Sequence, residues 1–146
     1  VRIASKDLAR RLKKDERRAF KGVEKARSRA LQRARGTMVE RSPVDQGQLR
    51  AAWRVDGESL VNDAPHSGIV EMGARPHGVS AEGMQALKDW ARRHGAKDDE
   101  EAEAIAWGIA RKLRAHGQEP TFFVRDAMPE LREQWRQEVV RMLRSL

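Results

Sequence analysis

The chain has 146 residues, 39% of them hydrophobic and 36% charged, with a formal charge of +8. That length gives one compact domain over residues 1–146, burying roughly 70% of its extended surface, and leaves no room for two independent ones. There is no cysteine, which excludes disulfides, thiolate metal sites and cysteine nucleophiles. No run approaches the roughly 18 apolar residues of a membrane span, and the first residues are too charged for a signal peptide, so a soluble product made in the cytoplasm is expected.

The charge belongs to one segment. Residues 1–36 carry 14 Lys and Arg against four acids, a net of +10, whereas the remaining 110 residues carry 16 basic and 18 acidic groups. In the same stretch Leu8, Leu12, Ala19, Phe20, Val23, Ala26, Ala30, Leu31, Ala34 and Met38 follow the three-and-four spacing of a helical stripe. One long basic helix is predicted over residues 1–40, capped by Ser5 with Asp7 in its first turn, and ended by Gly36 and the Ser42-Pro43 pair. The stripe is narrow and Ala-rich, which lets another helix approach closely.

Residues 43–78 read as a hairpin and a loop. Leu49 to Asp56, the Asp56-Gly57 turn and Ser59 to Asn62 predict two short strands. Ala64 to Gly78, with Ile69, Val70 and Met72 among glycines and prolines, predicts a short helical turn followed by an exposed loop.

A helical pair is predicted over residues 80–117. Ser80 caps the first member, Met84, Leu87, Trp90 and Ala91 share one face, and His94-Gly95 stops it. Asp98 or Asp99 caps the second, Glu100, Glu101 and Glu103 favour the positive end of its dipole, and Ala102, Ile105, Ala106, Ile109 and Leu113 supply the buried stripe before Gly117. A last helix over residues 120–146 starts near Asp126, tolerates Pro129 in its first turn, and buries Leu131, Trp135, Val139, Met142 and Leu146. The fold class is α+β: a long N-terminal helix, a short antiparallel hairpin and three further helices.

Catalytic chemistry finds little support in these residues. The four histidines, His66, His77, His94 and His116, form no i, i+4 pair with a following Glu, and the last two are read as helix C-terminal residues. Glu71, between apolar residues and beside Gly73, is either a buried acid with a raised pKa or a carboxylate that fixes a loop by pairing with Arg50, Arg54 or Arg75. The acidic run Asp98 to Glu103 lacks the spacing and glycine of a calcium loop. Neither glycine-rich phosphate motif nor a Gly-x-Ser-x-Gly elbow can be written from the chain. No catalytic residue, cofactor or metal is assigned, and the protein is not expected to be an enzyme.

The basic helix is the candidate contact surface, through Arg10, Arg11, Lys13, Lys14, Arg17, Arg18, Lys21 and Lys25. Three readings stand: a solvated face, a dock for an acidic protein, or a rail for nucleic-acid phosphates. Phe20 is its one aromatic and lies on the apolar stripe, so base stacking is not part of the third reading. The four tryptophans, at positions 53, 90, 107 and 135, are read as core or interface anchors.

Three separated segments together carry a resemblance. Ser42-Pro43-Val44-Asp45-Gln46-Gly47-Gln48-Leu49-Arg50 resembles an "aPvdTGrLr" motif, Ile69-Val70-Glu71-Met72-Gly73 a "yVEfGt" motif, and Glu119-Pro120-Thr121-Phe122-Phe123 with Ala127 an "rPFlrpA" motif. Leu87 to Arg92 and Ile105 to Gly117 are similar to a segment often found between the last two. In this order they resemble the tail-completion or minor tail (neck) proteins of tailed bacteriophages, over roughly residues 10 to 145. Gln46 stands where Thr is usual, and His66-Ser67 where Tyr-Ala is common.

The resemblance implies a structural virion protein in the tail or neck, assembled in the host cytoplasm. It implies a homo-oligomeric ring of six copies or a multiple at the head–tail junction. The partners it implies are neighbouring neck, connector or tail proteins, with packaged DNA as a further one and no membrane. The motif positions Pro43, Asp45, Gly47, Leu49, Arg50, Glu71, Gly73, Pro120, Phe122 and Phe123 are then structural: Gly47 permits a tight approach, Glu71 fixes the Gly73 loop, and the two phenylalanines anchor the last helix to the sheet. The alternative class is an accessory protein that holds DNA non-specifically on the basic helix.

Overall fold

The structure is a computed structural model that describes residues 5–145. Six helices and two strands follow in the order α1 (Ser5–Arg41), α2 (Gln48–Ala51), β1 (Trp53–Asp56), β2 (Ser59–Asn62), α3 (Ser67–Met72), α4 (Ala81–Arg93), α5 (Asp99–His116) and α6 (Phe123–Leu143). The strands pair antiparallel, Trp53 opposite Asn62 and Asp56 opposite Ser59, so the fold is α+β as expected. The chain forms two compact units, one of residues 1–67 and 123–146, the other of residues 68–122.

In the first unit α1 is a helix of 37 residues, about 55 Å long, against which α6 and the hairpin pack. It does not stop at Gly36, because Thr37 and Met38 just beyond are buried and their burial outweighs a helical glycine's cost of about 1 kcal/mol. Termination comes at Ser42, whose backbone N–H and hydroxyl both donate to the Met38 carbonyl, followed by Pro43. Arg50 closes the same end by donating to the carbonyls of Ser42 and Glu40, two acceptors a helix C-terminus leaves open. Ser5 opens the helix instead of preceding it.

The predicted first strand is shorter than expected. Gly47 takes the left-handed conformation at φ 78°, and Ala51 and Ala52 then donate back to the carbonyls of Gly47 and Gln48. Leu49 and Arg50 therefore lie in a helical turn, which Gln, Leu, Arg and Ala all favour, and pairing begins at Trp53. Trp53 is buried; its indole N–H donates to the Ser42 hydroxyl at 2.8 Å, and its ring meets that of Phe123 edge-on with centroids 6.5 Å apart. Arg35 donates to the Trp53 carbonyl, tying the hairpin to α1.

Helix α6 starts at Phe123, three residues before the expected Asp126. Its buried residues are Phe123, Ala127, Glu138 and Met142. Trp135, expected in the stripe, is exposed, and Leu146 lies outside the described residues. Glu138 stands on the buried face because α1 supplies its counter-charges: Arg29 donates at 2.8 Å and Arg33 at 3.3 Å, joined by Arg141 at 2.9 Å from α6 itself. The hydrogen bond from Arg29 is the main cause holding the Glu138 carboxyl below the ordinary range, working against desolvation.

The second unit is built on α4 and α5. Ser80 caps α4 by accepting from the Gly83 N–H, and Asp98 caps α5 by accepting from the Glu101 N–H. Ala91, Ala102, Ala106 and Ala110 are buried, and such small side chains bring two helices close. Met84, Leu87, Trp90, Ile105, Ile109 and Leu113 are half-buried. Gly117 ends α5 as expected. Ala74 and Gln118 then exchange both backbone hydrogen bonds, an isolated bridge that a side chain at Gly117 would block by striking the Ala74 carbonyl.

Candidate functional site

The N-terminal helix divides into two parts by the fate of its charges. From Arg27 onward its arginines are used within the unit: Arg27 pairs with Glu58, Arg29 and Arg33 with Glu138, Arg35 bonds Trp53, and Arg41 pairs with Glu130. Before that point, among the described residues, only Arg18 makes a contact of this kind, donating to the Ser145 carbonyl at 3.0 Å. No described residue forms an ion pair with Lys6, Arg10, Arg11, Lys13, Lys14, Arg17, Lys21 or Lys25.

The apolar stripe divides at the same place. With about 100° per residue, Leu8, Leu12, Ala19 and Val23 fall within roughly 60° of arc, and Ala26, Ala30 and Thr37 continue that arc. The continuation is buried, and Thr37 meets Glu130 and Gln134 of α6. Toward the N-terminus Leu8 is 49%, Leu12 61%, Phe20 70% and Val23 44% exposed. The expectation of a covering helix thus holds for the second half of the stripe alone. Arg18 reaches the end of α6 at Ser145, so Ser5 to Arg17, about 20 Å of helix, extend past it.

The cations lie on the other side. Lys6, Arg10, Arg11, Lys13, Lys14, Arg17, Arg18, Lys21 and Lys25 occupy an arc of roughly 160° opposite the stripe. Between Arg10 and Lys21 every residue in that arc is Lys or Arg. Asp15 and Glu16 fall outside it, bordering the apolar stripe. Lys14, Arg17, Arg18, Lys21 and Lys25 with Ser145 also line an open groove. Among the eight residues expected as a basic contact surface, all belong to this face, and all are exposed.

The motif positions are distributed over both units. In the first, Pro43 and Asp45 are exposed, Gly47 makes the turn, Leu49 is buried and Arg50 closes α1. In the second, the 69–73 and 119–122 segments are hydrogen-bonded to each other: Thr121 donates to the Val70 carbonyl from both its N–H and its hydroxyl, and the Phe122 N–H donates to the Glu71 carbonyl. Gly73, at φ 74°, lies under this junction; a side chain there would strike the Gln118 carbonyl and come within 2.9 Å of the Pro120 nitrogen. Phe122 itself has φ 51°, a left-handed conformation that costs a non-glycine residue about 1–2 kcal/mol.

The structure narrows two expectations for these positions. Phe123 reaches the hairpin through Trp53, but Phe122 is held by its backbone on Glu71. Glu71 is half-exposed, not buried, and two of its three expected arginine partners bond elsewhere: Arg50 closes α1, and Arg54 pairs with Asp56 and Asp63.

Several other titratable groups have local duties. His94 stacks on Trp90 at 4.3 Å and its Nδ1 lies 2.9 Å from the Trp90 carbonyl, while His77 Nδ1 lies 2.8 Å from the Arg75 carbonyl. In the acidic run Asp98 is a cap, Arg92 holds Asp99, Glu101 accepts from the Lys97 N–H, and Lys88 pairs with Glu103 at 3.0 Å, lowering the Glu103 pKa. Among the described residues no three His, Asp or Glu converge as a metal site, and no helix is long and apolar enough to cross a membrane.

The exposed apolar stripe, opposite the basic face, is the feature that sequence reading missed. The lengths of the helices signal that part of the stripe stays uncovered, 37 residues of α1 against 21 of α6, but not which part. Compared with protein-family models, curated proteins and solved structures, the chain shows no match.

Proposed function

We propose that the protein is a structural component of a tailed-phage virion, a tail-completion or neck protein that works as a ring of copies at the head–tail junction. The observation that carries this reading is the uninterrupted stripe of α1, covered by α6 at one end and exposed at Val23, Leu12 and Leu8. A helix extended by about 20 Å with Leu8 and Leu12 facing water, and Phe20 exposed just beyond, is suited to an assembly that covers them. Contacts of this kind close into a ring when one surface meets a different surface of the next copy. The order of the three motif segments supports the same class, as does the bonding of two of them to each other across fifty residues of chain.

Sedimentation of the purified chain tests the reading: six copies or a multiple are expected, and Leu8→Ser with Leu12→Ser shifts the population toward monomer. A chain that stays monomeric at all concentrations, together with particles that join heads to tails without it, would refute the ring. The accessory DNA-binding alternative predicts a strong, salt-dependent affinity for duplex DNA and makes no demand on copy number.

A further inference from the structure

We infer that the basic face of α1 is a sequence-independent binding surface for the phosphates of duplex DNA. The inference rests on the ring reading for which DNA is met, the packaged genome, but not for its chemistry. Seven cations between Arg10 and Lys21 span about 17 Å of helix, one per roughly 2.4 Å. Duplex DNA carries one negative charge per roughly 1.7 Å of axis, and a row of matching cations binds by displacing its counterions. The row is open to phosphates: its side chains are exposed, no described acid pairs with them, and among the described residues Arg18 alone is engaged, by the Ser145 carbonyl.

Two other polyanionic surfaces fit less well. A protein interface is built on a desolvated apolar or aromatic centre, whereas this arc contains neither Leu, Phe nor Trp. An anionic membrane takes up an amphipathic helix by its apolar side. Here that side is bordered by Asp15 and Glu16, and α6 lies across its continuation from Ala26 to Thr37, blocking a flat surface. Phosphates need only the cations, and the opposite placement of the two faces lets one helix hold protein on its stripe and DNA on its back.

The test uses the full chain and a random-sequence duplex of roughly 20 bp, with anisotropy followed from about 50 to 200 mM salt. Log affinity is expected to fall linearly with log salt. In a variant carrying Lys13→Gln, Arg17→Gln and Lys21→Gln the slope flattens by about 0.9 per cation removed, with helical content unchanged by circular dichroism. Leu8→Ser with Leu12→Ser, which alters assembly, keeps the parent slope per chain. The inference is overturned by absence of duplex binding at the lowest salt, by an unchanged slope in the triple variant, or by binding of polyglutamate or anionic vesicles as tight as that of the duplex. A monomer that binds DNA refutes the ring alone; a ring that does not refutes the DNA face alone.

Discussion

The two halves of α1 share one helical stripe and one excess of positive charge, yet they differ in everything the rest of the chain does with them. From Ala26 onward the stripe is buried, and Arg27, Arg29, Arg33, Arg35 and Arg41 each find a carboxylate or carbonyl. Before Val23 leucines face water and the cations stand without described ionic partners. The paired cations of the first set are all arginines and its buried stripe is mostly small residues, whereas the second set mixes lysine with arginine and carries larger apolar residues. Arginine's planar fork suits fixed, partly buried pairs such as those on Glu138, whereas lysine keeps a mobile, hydrated charge. One half of the helix builds the unit, and the other is available for binding.

This contrast can be broken at its strong end first. Met38→Ala removes a fully buried side chain from the folded half and is expected to cost about 2–5 kcal/mol, read as a lowered denaturation midpoint; a loss under about 1 kcal/mol would mean that the half is not packed as described. Acid is the next lever. Glu130 and Glu138 are held below the ordinary carboxylate range, chiefly by hydrogen bonds from Arg41 and Arg29 respectively. A carboxyl whose folded pKa is depressed stabilises the fold above its unfolded pKa, and that contribution is lost as pH falls through the folded value. Thermal melts from neutral to acidic pH should therefore show a falling midpoint, and Glu138→Gln should flatten that fall while lowering the midpoint at neutral pH. An unaltered pH profile in the variant would remove Glu138 from the account.

The smallest effect is expected in the other half. Leu12→Ser, scored on the dissociated chain, should change stability by no more than about 0.5 kcal/mol, as for an ordinary surface substitution. A loss comparable to that of Met38→Ala would show that residues 5–17 pack against the chain itself.

Much of the fold was legible because its signals are local. Ser80 and Asp98 cap their helices, Gly117 ends α5, and the Asp56-Gly57 turn sits in the hairpin, each through a backbone group only a few residues away. Errors arose where burial overrode those signals. Gly36 reads as a stop but lies inside α1 because Thr37 and Met38 are buried, and Leu49 alternates like a strand residue but lies in a turn set by Gly47.

The candidate surface divides in the same way. That α1 is helical, that its cations form an arc free of acids from Arg10 to Lys21 and that its apolar residues form the opposite stripe all follow from the 3.6-residue period, and the sequence alone determined them. Which half of that stripe is covered, which arginines are consumed, and why a carboxylate at position 138 can be buried were decided only by tertiary structure. Each depends on α6, whose Glu138 is more than one hundred residues from Arg29 and Arg33 in the chain, and no local period encodes a contact made at that separation.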